Sequence, residues 1–364
     1  MRHAQPCGSA YVMPLRSALC ISSLFLAYLV LDSCTGCDHV PGRVASLPIG
    51  SGTENLRTCG DSLVAISHKG VMVSWDWSDL MIPPREVSMA CGAPLALVGA
   101  NQVATSLLRD GDASHVVIVQ SLRGDQVISR WVLGAEFYCQ GIRASANGRR
   151  LAIWAGEDFV VTHNPSHPRV RLGTATPQSK EIGWVADVRE ENATLMIAGA
   201  AASEDGRLIA AAGLNNGGWV LVADVAEKRI LWQRVIPGAV KFNDVAFLPE
   251  ADVVYAGGGS GELYAFGSKT GLVQSTWSVG DGKEGAWSHR ITRVAVSPDG
   301  RTVAAGTGPG GEVYLWDTKT GGRLGVLKTT EATTTGLAFS PDSSRLATAG
   351  VGNRKIEIWK IARD

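Results

Sequence analysis

The sequence predicts an all-β fold, a single closed ring of short four-stranded sheets, seven in number. Three observations carry that expectation. A unit near the C-terminus is written twice at a fixed offset. Turn residues then recur along the chain at spacings of roughly 40 to 60 residues, the rhythm of a repeat architecture. Glycine, at 43 residues against 15 prolines, fits many tight turns rather than a disordered tail.

The duplicated unit spans about Ile291 to Ile361. One copy reads ITRVAVSPDGRTVAAG and then EVYLWD; the other reads TTGLAFSPDSSRLATAG and then IEIWKI. Ser297, Pro298, Asp299 and Trp316 recur as Ser340, Pro341, Asp342 and Trp359, always 43 positions on. Val294 and Val296 flank Ala295 in the period-2 pattern of a strand. Ser297-Pro298-Asp299-Gly300 supplies a reversal, since Pro fixes φ, Asp bonds its own backbone and Gly accepts positive φ. Val303 to Gly306 is a second strand, Val313 to Trp316 a third, and Gly322 to Lys328 a fourth. Four antiparallel strands in roughly 40–45 residues make one β-propeller blade.

From the N-terminus, residues 1–33 read as an export signal. Arg2 and Arg16 precede an apolar run from Ala18 to Leu31 that is short for a spanning helix, which needs about 20 residues. Leu31-Asp32-Ser33-Cys34 resembles the bacterial lipobox, with Asp32 standing where a small or aliphatic residue is usual. The resemblance implies lipidation of Cys34 and a membrane-anchored or periplasmic envelope location. Residues 34–42 form a linker and 43–364 the propeller. Turn signals near Gly60, Asn101, Gly148, Gly206, Pro249, Gly300 and Asp342 mark the first hairpin of seven blades. Thr174 to Asn192 reads as an insertion after blade three. The last blade has three strands of its own, and Arg43 to Pro48 is a spare extended segment able to supply the fourth and close the ring.

SPDG at 297–300 with LWD at 315–317, and SPDS at 340–343 with IWK at 358–360, resemble the WD-repeat (Trp-Asp repeat) propeller family. That resemblance implies a buried His, Ser/Thr, Asp and Trp network in each blade. Here it is incomplete: blade six has His289 and Trp316 but Ala305 and Gly310, and blade seven has Thr348, Asn353 and Trp359 but Ala332. Quinoprotein-like propellers are a neighbouring reading.

The search for chemistry narrows the function classes. Lys+Arg and Asp+Glu are equal at 34, and no basic run points to nucleic acid. HExxH, GxSxG and the phosphate-binding GxxxxGK[ST] are lacking. Cys34-Thr35-Gly36-Cys37-Asp38-His39 misses the His a c-type haem needs directly after the second Cys. His163 and His167 flank Pro165, which argues against helical metal geometry. Asp110-Gly111-Asp112 lacks the later ligands of a calcium loop. Gly257 to Gly261 is a strand turn with no helix to cradle phosphate. Cys37, Cys59, Cys91 and Cys139 leave disulfide pairing open.

Catalytic residues, metal and cofactor are therefore expected to be absent, and loops on a rigid scaffold remain as the carriers of function. The charged loop Asp281 to Arg290 offers Asp281, Lys283, Trp287, His289 and Arg290 as protein-binding candidates, with Trp184 from the insertion. The expected function is a non-catalytic, envelope-anchored, monomeric platform for a protein or peptide. The alternative is a quinoprotein-like or lactonase-like enzyme, or a small-ligand binder, acting at the central channel. A channel lined by Ala, Gly and Ser favours the platform, and three or more clustered acidic or His groups favour the enzyme.

Overall fold

The computed structural model describes residues 42–361 apart from 50–52, 60, 68–70, 83, 89–94, 99–101, 109–114, 122–125, 134–136, 146–148, 158–168, 190–194, 251, 281–288 and 353–354. The export signal and the lipobox therefore lie outside the described residues.

Seven four-stranded antiparallel sheets follow one another along the chain. After β1 (Arg43–Pro48), blade one is β2 (Thr53–Cys59), β3 (Ser62–Ser67), β4 (Val71–Asp76) and β5 (Arg85–Ser88). Blade two is β6 (Leu95–Val98), β7 (Gln102–Leu108), β8 (His115–Ser121) and β9 (Val127–Val132). Blade three is β10 (Phe137–Ala144), β11 (Leu151–Glu157), β12 (Arg169–Ala175) and β13 (Gly183–Arg189). Blade four is β14 (Met196–Ala202), β15 (Leu208–Leu214), β16 (Gly218–Asp224) and β17 (Arg229–Ile236). Blade five is β18 (Phe242–Phe247), β19 (Val253–Gly258), β20 (Glu262–Gly267) and β21 (Val273–Ser278). Blade six is β22 (Arg290–Val296), β23 (Thr302–Gly308), β24 (Val313–Asp317) and β25 (Arg323–Leu327). Blade seven is β26 (Thr333–Phe339), β27 (Arg345–Val351) and β28 (Lys355–Lys360), with β1 added to its outer edge.

The fold expectation holds, and a pair of consecutive antiparallel strands flanks each of the seven expected turns. The expected insertion at Thr174 to Asn192 is a correction: it begins with the last two residues of β12 and contains β13, the outer strand of blade three. Sequence reading missed it because Ile182, Trp184, Val185 and Val188 are interleaved with charges that face solvent on an outer strand.

Arg43 to Pro48 supplies the closing strand, as expected. Ala45 pairs with Ile358, Leu47 with Ile356 and Pro48 with Lys355. Ala45, Leu47, Ile356 and Ile358 are buried together with blade-one residues Leu56, Leu63 and Trp75. An ion pair adds to this seam: Arg43 Nη1 donates to Glu357 Oε1 at 2.8 Å, and the Glu357 carboxylate is fully buried. Glu357 also accepts from the Thr330 amide and hydroxyl. A buried carboxylate without such donors would be strongly destabilising.

The hairpin turns show why the Ser-x-Asp spelling recurs. Ser297 Oγ donates to Asp299 at 2.6 Å and accepts from the Thr302 amide. Ser340 and Asp342 repeat both bonds. Blade four carries a third copy, Ser203-Glu204-Asp205-Gly206, with the same 2.6 Å bond. Gly206 and Gly300 share a φ of 71°, the left-handed region where Gly is least strained. The aromatic residues pack between blades: Trp277 stacks on Tyr255 and on Trp316 at centroid distances of 5.8 and 6.0 Å.

Candidate functional site

The site is the wall of the central channel, formed by the innermost strand of each blade. In β2, β10, β14, β18, β22 and β26 the pairing with the next strand slips by one residue at equivalent places, for example between Phe242 and Asp244 and between Thr334 and Gly336. Such a slip bends and twists a strand and re-aims the side chains beyond it. The residue just after the slip is Gly141, Gly199, Asp244, Arg293 or Gly336 in blades three to seven. Two residues further along, on the same face of the strand, stand Arg57, Arg143, Ala201, Ala246, Ala295 and Ala338. These six, with Ala96 of β6, all line one cavity of about 320 Å³.

Alanine is thus the rule at this level of the ring, and Arg57 and Arg143 break it. Residues after the slip reach the next blade. Asp244 accepts from the Val294 amide of blade six at 2.9 Å, and Arg293 donates from Nε to the Thr335 carbonyl of blade seven at 2.8 Å. Arg293 also donates from Nη1 to the Thr292 carbonyl. Arg143 crosses blade four to reach blade five: its Nη1 lies 2.8 Å from Asp244 Oδ1, and its Nη2 donates to Oδ2 at 2.9 Å. The same Nη1 donates to the Val245 carbonyl at 2.6 Å. Gly199, in the blade that Arg143 passes, leaves room, since a Cβ there would sit 3.0 Å from Asp244 Oδ1.

The electrostatics are uneven. Burial alone would push the Asp244 carboxyl up, but Arg143 and Arg293, with the Arg143 hydrogen bond, outweigh it and hold it below the usual carboxylate range. Burial, and next the repulsion of Arg143, push the Arg57 guanidinium down to about 9. Burial also lowers Arg293. Asp244 is fully engaged by Arg143 and two backbone amides. Among the described residues the Arg57 guanidinium has no hydrogen-bond partner. The cavity opens toward the hairpin turns, where Ser145, Pro249, Pro298 and Pro341 form its rim. Its walls are mainly aliphatic and aromatic, including Val245, Phe247, Val294, Val296 and Phe339. Among the described residues no group of three or more His, Cys, Asp or Glu side chains could hold a metal ion.

The described candidates named from sequence, His289, Arg290 and Trp184, do not line this cavity. Asp281, Lys283 and Trp287 are outside the described residues, as is Cys34. His289 and Arg290 stand at the start of β22, the end of the inner strands opposite the turn rim. The His289 ring packs on Gly280. Arg290 lies near Lys241, whose ammonium is lowered by burial and then by Arg290. Trp184 sits on the outer strand of blade three beneath Arg171, 4.5 Å from ring centroid to guanidinium carbon. The structure brings His289 and Arg290 together at one mouth and leaves Trp184 on the rim of another blade. Cys139 is a buried free thiol, raised to about 12 chiefly by burial.

Of the expected Trp network, one link is present in blade seven: Trp359 Nε1 donates to Thr348 Oγ1 at 3.0 Å. In blade one Trp77, just past the third strand, makes a different bond: its Nε1 donates to Thr58 Oγ1 of the innermost strand at 3.1 Å. Arg57, Arg143, Asp244 and Arg293 were not singled out from sequence. The signal that could have found them is the departure of Arg57 and Arg143 from alanine, visible only after the drifted blades are aligned through their slips.

Comparison with protein-family models finds the WD domain, G-beta repeat at residues 284–317 and 321–360, which fall on blades six and seven. No curated protein matches the chain. Those two matches, set on a ring of seven four-stranded blades, support reading the chain as a WD-repeat β-propeller.

Proposed function

We propose that this protein is a non-catalytic binding platform, exported and held at the cell envelope, that engages a protein or peptide through the loops of its ring. WD-repeat propellers are commonly protein-interaction scaffolds, and the two matched blades give that reading its support. The observation that carries it is the channel wall. At the level where a propeller enzyme would converge its acids and histidines, this ring repeats alanine in Ala96, Ala201, Ala246, Ala295 and Ala338. The loop between β21 and β22, with Trp287, His289 and Arg290, is the surface assigned to the partner, and the monomer presents it. Trp184 with Arg171 is a second aromatic and cationic element on blade three.

Anchoring is assigned to Cys34 or to the apolar run before it. Affinity purification of the full-length protein from its native envelope, wild type against Trp287→Ala/Arg290→Ala, tests the platform. A partner recovered with wild type and lost with the variant is the expected result; identical recoveries would remove the loop from the argument. Lipid-precursor labelling of wild type and Cys34→Ala tests the anchor, and equal labelling of the two would eliminate Cys34.

A further inference from the structure

The central channel carries charge that its own side chains do not neutralise. Three guanidiniums, Arg57, Arg143 and Arg293, act on one another and on a single buried carboxylate, Asp244. Asp244 is matched to Arg143 by two contacts of 2.8 and 2.9 Å. Arg293 places Nε and Nη1 on carbonyls. Arg57 donates to no described residue, although it stands at a position where five other blades place alanine. Among the residues lining the cavity, exposed Glu204 on the turn rim is the carboxylate. A cation held in a low-dielectric cavity without a counter-ion is costly, and an anion that fills the place repays that cost.

We propose that the channel binds a carboxylate carried on a short apolar body. The carboxylate lies on the Arg57 fork, and the apolar part lies along Val296, Phe247 and Phe339 toward the turn rim. A planar guanidinium matches a carboxylate through two parallel N–H···O bonds. The inner-strand amides are largely spent in sheet pairing and the lining is mostly aliphatic. A phosphate dianion would meet too few donors there, whereas a carboxylate needs only the fork. At roughly 30 Å³ per heavy atom, the share of a water in the liquid, the cavity holds about ten non-hydrogen atoms. The carboxylate can come from a free aliphatic acid or from the C-terminus of a peptide ending in an apolar residue. The inference is independent of the loop-face partner, since the cavity opens on the opposite face from His289 and Arg290.

Isothermal titration of the full-length protein tests it with octanoate, N-acetyl-leucine, their neutral amides and inorganic phosphate. Saturable binding of octanoate or N-acetyl-leucine, weakened at least tenfold in the matching amide, is the expected result. Tighter octanoate assigns the free acid and tighter N-acetyl-leucine the chain terminus. Arg57→Ala installs the residue the other blades carry, should melt at or above the wild-type temperature, and should weaken binding at least tenfold. Arg57→Lys, which keeps the charge and loses the fork, should weaken it several-fold. Amides binding as well as acids, phosphate binding more tightly than either acid, or Arg57→Ala binding within twofold of wild type would each overturn the proposal.

Discussion

Replacing Asp244 by alanine strips the carboxylate from among three guanidiniums and tests whether the channel network holds the ring together. Asp244 accepts from Val245 N, Val294 N and both Nη atoms of Arg143, and it is almost wholly buried. Its loss leaves Arg143 without a counter-charge and the buried Val294 amide without an acceptor. Breaking a buried pair from one side costs about 3–5 kcal/mol. With an unfolding entropy near 2.1 cal/mol/K per residue, a chain of this length should lose about 4–7 °C in Tm. Arg143→Ala should cost less, because Asp244 keeps its two amides. The double variant should be less damaged than the two single losses added together, by about 1–3 kcal/mol. Circular dichroism melts of the four proteins measure this. Additive losses, or an Asp244→Ala melt within about 1 °C of wild type, would refute the idea that Arg143 staples blade three to blade five.

Removing residues 42–49 should lower Tm by more than any single channel substitution, since β1 completes blade seven; Glu357→Gln alone should cost about 1–3 kcal/mol by weakening the bonds from Arg43 and Thr330. Gly336→Ala would place a Cβ 2.4 Å from Leu56 Cβ across the junction of blades seven and one. That overpacking should cost about 1–3 kcal/mol in a urea titration. Acid melts should show the turn carboxylates. Hydrogen bonds from the Ser340 and Ser344 hydroxyls hold Asp342 at about 2, and Asp244 is also held low. A carboxyl depressed in the folded state stabilises above its unfolded value of about 3.9, and the benefit is lost as pH falls from there toward 2. Asp342→Asn should therefore flatten the melt-versus-pH curve in that window and leave the slope above pH 5 unchanged.

The architecture was legible because its rules are local. Period-2 runs such as Val294 to Val296 and turns such as Ser297 to Gly300 are decided by neighbouring residues, and the 43-residue offset assembles them into blades. Arg43 to Pro48 could be placed as the closing strand because the last blade lacked one. The channel network was not legible, since it joins Arg57, Arg143, Asp244 and Arg293 from four blades through strand slips that leave no spelling of their own. Glu357 shows the same limit. An acidic residue between Ile356 and Ile358 reads as a solvent-facing position, and only the arrival of Arg43 makes its burial tolerable. The loop with Trp287 stood out by composition, which says what a segment is made of and little about where it sits.

The pairing of β1 with β28 has a consequence for synthesis. The first of the described strands hydrogen-bonds to the last of them, with Arg43 and Glu357 separated by 314 positions. As the chain emerges, blades one to six can form once their own residues are available, but β1 must wait, with an unpaired edge, for its partner. Contacts so distant in sequence are slow to form because a long loop must close first. A chain interrupted anywhere before β28 would keep that strand loose and leave apolar Ala45 and Leu47 in water. The ring thus reports on its own completeness, and a quality-control protease that recognises extended apolar segments could distinguish a finished molecule from a truncated one by this strand alone.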